Sequence, residues 1–163
     1  MSGKWAITIR PPFIEKIVSG VKAYEIRTRV PRNLDVGDDV YVVQAASGGK
    51  VVLVFNVRDI FVGTPERMWE LYKRDLGVSE GEFNLYTANR ESVYLIKMEY
   101  VRRLVPSWTL EDLQLLRAPQ WFTRVKICRH TPHSALLTPT PTDPTSGNQG
   151  GNGDNGGGND GMS

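Results

Sequence analysis

Five charged side chains fall close together near the start of the sequence: Arg10, Lys22, Glu25, Arg27 and Arg29. Guanidinium and ammonium groups at this density can clasp a phosphate or a base carbonyl, the guanidinium through paired N–H donors. Glu25 sits among them and can orient the cations or accept a hydrogen bond from an exocyclic amine. Two chemistries fit. One is binding of an anionic ligand in a polar cleft. The other is acid–base catalysis by Lys22 with Glu25, which requires burial to lower the lysine's pKa towards neutrality. No Ser, Thr or Cys adjoins Lys22, so water is the nucleophile such a pair could activate. A solvated strand edge carrying one ordinary Glu–Arg pair is the alternative without a ligand.

The segment that must position these groups runs from Thr8 to Arg29. It begins as a strand, breaks at Pro11-Pro12, forms a short helix and stops at Gly20. Proline at a helix's first position loses no hydrogen bond, and glycine just past the last turn accepts a left-handed backbone. Phe13, Ile14, Ile17 and Val18 make one apolar stripe and leave Glu15, Lys16 and Ser19 to water. A second strand starts at Lys22. Alternation places Ala23, Glu25, Arg27 and Arg29 on one face and Lys22, Tyr24, Ile26 and Thr28 on the other.

Around that segment the pattern is of strands followed by helices. Trp5, Ile7 and Ile9 alternate as in a half-buried strand. Residues 31–39 read as a connection, Val40 to Gln44 as a central strand, and Ala46-Ser47-Gly48-Gly49 as a hairpin turn leading into a strand over 50–60. Thr64-Pro65-Glu66 opens a helix that buries Met68, Leu71, Tyr72 and Leu76 and ends at Gly77. Ser79-Glu80-Gly81-Glu82 is a capping box for a second helix through about Ala88, with Phe83 and Tyr86 inward. A strand follows over 92–101, then Arg102 and Arg103, a short helix from Thr109 to about Leu116, and a last strand over 121–128. The expected fold is α+β: a small, mostly antiparallel β-barrel, closing its own edges, with two or three covering helices.

Ile9-Arg10-Pro11-Pro12, followed by Ile17, Gly20, Lys22, Glu25 and Arg27, resembles the ASCH domain, a branch of the PUA-like β-barrels. Val36-Gly37-Asp38, the aromatic-rich middle and Tyr94 to Val105 extend the resemblance over roughly residues 5–125. The resemblance implies a domain over 1–131 and association with RNA or a modified nucleotide. It also implies a possible hydrolase, either a ribonuclease or an amidohydrolase acting on modified cytidine. In the amidohydrolase type a lysine after the Gly-x step, a threonine three positions on and a glutamate on the later helix carry the reaction. Lys22 matches the lysine, Glu25 stands at the threonine position, and Leu76 stands where the glutamate would be, with Asp75 and Glu80 nearby.

Composition narrows the partners. All 20 Lys and Arg lie at or before Arg129, and three of the 18 acids (Asp143, Asp154, Asp160) lie after it. The part before the tail therefore carries +5, which suits a polyanion such as RNA. Arg32, Arg102 and Arg103 could extend a basic surface, and Tyr24, Trp69 or Tyr86 could stack on unpaired bases, although their spacing also suits a core. A protein-docking role would use Pro106 with Trp108, or Trp121-Phe122 after Pro119. Cys128 is the only cysteine, so no intramolecular disulfide forms and a reducing, cytoplasmic setting is expected. Cys128, His130 and His133 are zinc-ligand types without a fourth partner at matching spacing, so no metal and no cofactor is expected. No run approaches a membrane span and none follows the N-terminal charge, so the expectation is a soluble monomer. Residues 132–163 turn to Pro-Thr and then Gly-Asn-Asp repeats, a composition that predicts a disordered tail.

Overall fold

In a computed structural model, the structure describes residues 3–127. The tail segment and the Cys128–His130–His133 cluster lie outside the described residues. The strands are β1 (Lys4–Ile9), β2 (Tyr24–Arg27), β3 (Asp39–Gln44), β4 (Val51–Gly63), β5 (Val93–Trp108) and β6 (Thr123–Arg124). The helices are α1 (Pro11–Val18), α2 (Pro65–Tyr72) and α3 (Glu80–Thr87). The six strands form one mixed sheet, ordered β2-β5-β4-β3-β1-β6 and curled into a half-barrel. The expected α+β fold with covering helices is found, although among the described residues the sheet ends at β2 and β6 as a half-barrel instead of closing its own edges.

Four of the pairings are antiparallel, and β1 runs parallel to β3, from Lys4 opposite Asp39 to Ile9 opposite Gln44. A parallel pair needs a long crossover, and here the crossover is α1 and β2 themselves. This connection carries the charged segment across to the far edge of the sheet, where β2 pairs with β5. The pairing of β4 with β5 shifts register at three places, which bends both long strands around the core.

Several boundaries differ from the sequence pattern. β5 continues through Arg102 and Arg103 to Trp108, because Val101, Leu104 and Trp108 are still buried along it. The helix expected from Thr109 shrinks to a 3₁₀ turn over Glu111–Leu113, since Gln114 adopts a left-handed φ of 59° that stops it. The last strand is only Thr123–Arg124, paired with Trp5 and Ala6. One face of the sheet packs Ile7, Ile9, Ile14, Ile17 and Phe55 together, and the other packs Tyr41, Trp108 and Leu113. Trp108 and Phe122 are buried, so the apolar docking patch considered for them is part of the core.

Val36-Gly37-Asp38 marks a structural knot. The buried Asp38 carboxylate accepts hydrogen bonds from the Gly3 N–H at 2.7 Å, the Trp5 Nε1–H at 2.9 Å and the Asp35 N–H at 2.9 Å. Burial alone would raise its pKa. The bonds from Asp35, Trp5 and Gly3, with the charge of Arg124, outweigh burial and hold it below the ordinary 3.8. A folded-state pKa below the unfolded one contributes stability above the unfolded value, and that contribution is lost as pH falls through the folded value. Asp38→Asn is expected to destabilise the fold by roughly 1–3 kcal/mol at pH 7, by leaving buried donors poorly matched. Urea melts should also show less acid sensitivity below about pH 4 in the variant than in the parent protein.

Candidate functional site

Pro11 sets the geometry of the cluster's first member. The residue before a proline is pushed out of the helical region, and Arg10 is extended (φ −75°, ψ 146°) at the exit of β1. After α1, Gly20 (φ 87°) reverses the chain and the Lys22 N–H donates back to the Lys16 carbonyl at 2.9 Å. Lys22 therefore lies in the turn before β2, not in the strand. The alternation expected from Lys22 onward begins only at Tyr24, so Lys22 faces the same space as Glu25 and Arg27.

That space is a cavity of about 470 Å³, of the size that takes a small ligand. Arg10, Lys22, Glu25 and Arg27 line it, together with Thr8 and Ile9 of β1. Its apolar walls come from Phe13 of α1, Ile26 of β2, and Val78, Phe83, Leu85 and Tyr86 on or before α3. Lys22 (4% exposed) and Glu25 (6%) lie deep, while Arg10, Glu82 and Leu85 stand at the rim. Arg29 is not among the lining residues; its guanidinium lies 4.6 Å from the Trp121 ring centroid, outside the cavity.

The deep groups are held in place. The Lys22 ammonium donates to the Leu76 carbonyl at 2.9 Å and lies 5.4 Å from the Phe13 ring centroid. Arg27 Nε donates to Glu25 Oε2 at 2.8 Å, and the Arg27 guanidinium sits 5.5 Å from the Phe122 ring centroid. An ammonium has three N–H donors and a guanidinium five, so both keep donors for a ligand, and Glu25 keeps acceptor capacity. The lysine's pKa is lowered from the ordinary 10.5, first by burial and further by the charges of Arg27 and Lys16. Glu25 and Glu82 pull it partly back.

Sequence pattern marks Glu82 only as a helix cap, and marks neither Phe13 nor Phe83 as a lining group. Ser79–Glu82 does form the expected capping box, with Glu82 Oε1 accepting from the Ser79 N–H at 2.8 Å. The backbone bond from Ser79 holds the Glu82 pKa below the ordinary carboxylate value against the opposing effect of burial, helped by the Ser79 side chain and the charges of Lys16 and Arg10. The helical spacing of Glu82, Leu85 and Tyr86 (i, i+3, i+4) is a one-face signal. What the pattern lacked was which partner that face meets. Of the three aromatics proposed for stacking, Tyr86 lines the cavity, Tyr24 is buried, and Trp69 packs on Phe83 at 5.2 Å. Arg32, Arg102 and Arg103 do not line it, and Arg103 lies 3.7 Å from Glu15. Among the described residues no group of three or more His, Cys, Asp or Glu is placed to hold a metal ion.

The sequence profile of the ASCH domain matches residues 7–102, more than half of the chain and the whole of this site. The chain belongs to the ASCH family. This ASCH domain superposes on the crystal structure of ASCH from Zymomonas mobilis with a TM-score of 0.69 at 21% identity, covering 76% of this chain and 88% of that one. Two single-substitution variants of the Zymomonas protein match with the same score and identity, with 91% and 89% of their chains covered. At that identity the likeness carries the fold alone. No curated protein sequence matches the chain. No helix of the described ASCH domain is long and apolar enough to cross a membrane.

Because Lys22 is easier to deprotonate when folded, the unfolded chain binds more protons between the two pKa values, and stability rises with pH through that window. The parent protein is expected to gain stability on the alkaline side as pH approaches 10.5, and Lys22→Met to lose that gain. Denaturant melts at neutral and alkaline pH check this. Gly77 adds a second handle. Its φ is 70°, and a Cβ there would meet Lys22 Cβ at 2.7 Å. Gly77→Ala should therefore displace Lys22 and cost at least about 1 kcal/mol in melts, from backbone strain alone.

Proposed function

We propose that this ASCH domain binds RNA by taking one nucleotide into the cavity between α1, β2 and α3. The observation that carries the reading is that Lys22 and Glu25 lie deep in a cavity with aromatic walls, with Arg27 half-buried beside them. Aromatic faces suit a base of any identity, whereas a deep mixture of donors and an acceptor suits a base edge. In this arrangement the Lys22 ammonium donates to a base carbonyl. Glu25 accepts from an exocyclic amine, and Arg27 is oriented by Glu25 to donate beside it. Arg10 at the rim meets the phosphate. Cytosine and guanine each present a carbonyl and an amine, and so fit this donor–acceptor order best.

A second reading, hydrolysis of RNA or of a modified nucleoside, draws on one observation: Lys22 is buried beside Glu25 with a lowered pKa. Incubation with single-stranded RNA or N4-acylated cytidine, followed by chromatography, separates the two. New products that vanish in Lys22→Ala support the hydrolase; ligand recovered intact supports binding alone.

Binding is tested by calorimetry with the four nucleoside 5′-monophosphates and with short single-stranded RNA. Lys22→Ala and Glu25→Gln are each expected to weaken binding at least about tenfold, since each removes a hydrogen bond to a charged group. Parent-like affinity in both variants sinks the proposal.

A further inference from the structure

Arg29 belongs to the charged segment, yet it stands outside the cavity. Beside it a row of rings leads away from the cavity wall. Arg27, which lines the cavity, lies over Phe122 at 5.5 Å. Phe122 meets Trp121 edge-on with centroids 6.0 Å apart, and Arg29 lies over Trp121 at 4.6 Å. Thr8, another lining residue, donates through Oγ1 to the Pro119 carbonyl at 2.7 Å and so ties this segment to the cavity wall. Arg29 is exposed and Trp121 half-buried. Among the described residues no carboxylate lies within ion-pairing distance of Arg29. A guanidinium resting on an indole, with no acid to neutralise it, presents a flat cationic surface to solvent. Such a surface accepts an unpaired base by stacking and attracts its phosphate.

We infer that Arg29, backed by Trp121, is a platform for the nucleotide that neighbours the one in the cavity, so the ligand is a single-stranded RNA chain and not a free nucleoside or mononucleotide. The inference rests on the nucleotide-binding reading of the cavity and extends it by one position along the chain. It also accounts for Arg29 lying outside the cavity.

The test uses the full chain, a fluorescein-labelled random-sequence single-stranded RNA hexamer, and the four nucleoside 5′-monophosphates, all at one salt concentration. The parent protein is expected to bind the hexamer more tightly than any monophosphate. Arg29→Ala should weaken the hexamer about tenfold, the scale of one lost stacking partner, and leave the monophosphates unchanged. Arg29→Lys keeps the charge but not the plane, and should lose nearly as much. Both changes are at an exposed side chain, so folding is preserved and checked by thermal melting. Parent-like hexamer binding by Arg29→Lys overturns the platform, as does equal weakening of hexamer and monophosphates by Arg29→Ala. A parent protein that binds monophosphates as tightly as the hexamer overturns the platform and leaves the cavity reading standing. A parent protein that binds neither overturns both.

Discussion

Three consecutive carbonyls hold the site together. Those of Asp75, Leu76 and Gly77 accept from the Ala23 N–H at 2.8 Å, the Lys22 ammonium at 2.9 Å and the Lys16 ammonium at 2.9 Å. The carbonyls close the 3₁₀ turn that follows α2, where a helix end leaves acceptors without partners. The donors come from the end of α1 and the turn into β2. A buried ammonium without an acceptor is costly, and so is a buried carbonyl without a donor. Each side therefore satisfies the other, and the join fixes the distance between the sheet edge and the arm that carries α3. Both walls of the cavity depend on that distance.

The same join shapes the electrostatics. Had the cations simply gathered at a surface, the site would be an anion trap with little discrimination. Instead Lys22 spends one donor on Leu76, and Arg27 spends its Nε–H on Glu25. The deep part of the cavity is left with few free donors at fixed positions beside one acceptor. Fixed polar groups among apolar walls favour a shaped, neutral edge over a bare charge. Among the described residues Arg10 at the rim and Arg29 outside the cavity also have no carboxylate within ion-pairing distance, so positive charge is available at the surface as well as in the depth.

Much of this was legible in the chain. Pro11-Pro12 and Gly20 delimit α1, the capping box at Ser79 starts α3, and Arg10, Lys22, Glu25 and Arg27 do converge. The parts that were not legible depend on contacts distant in sequence. Strand alternation put Lys22 on the wrong face because the backbone is still turning at Ala23, whose N–H is committed to Asp75. The parallel pairing of β1 with β3 has no local signature, since a buried strand reads alike in either orientation. The length of β5 was missed because Arg102 and Arg103 look like a terminus, although the burial pattern resumes at Leu104. Phe13, Phe83 and Glu82 each had an adequate local explanation as apolar stripe or cap, and only the packing of α3 towards α1 gives them a second role.

Glu82 has a consequence of its own. One carboxylate both closes the first turn of α3 and borders the cavity mouth. Its Oε1 accepts from the Ser79 amide, and a carboxylate has acceptor sites to spare, so the cap can stay closed while the negative charge still faces the mouth. Arg10 stands on the same rim with the opposite charge. A phosphate is therefore repelled on the Glu82 side and drawn to the Arg10 side, so the two ends of the rim would turn an incoming guest before any deeper contact is made.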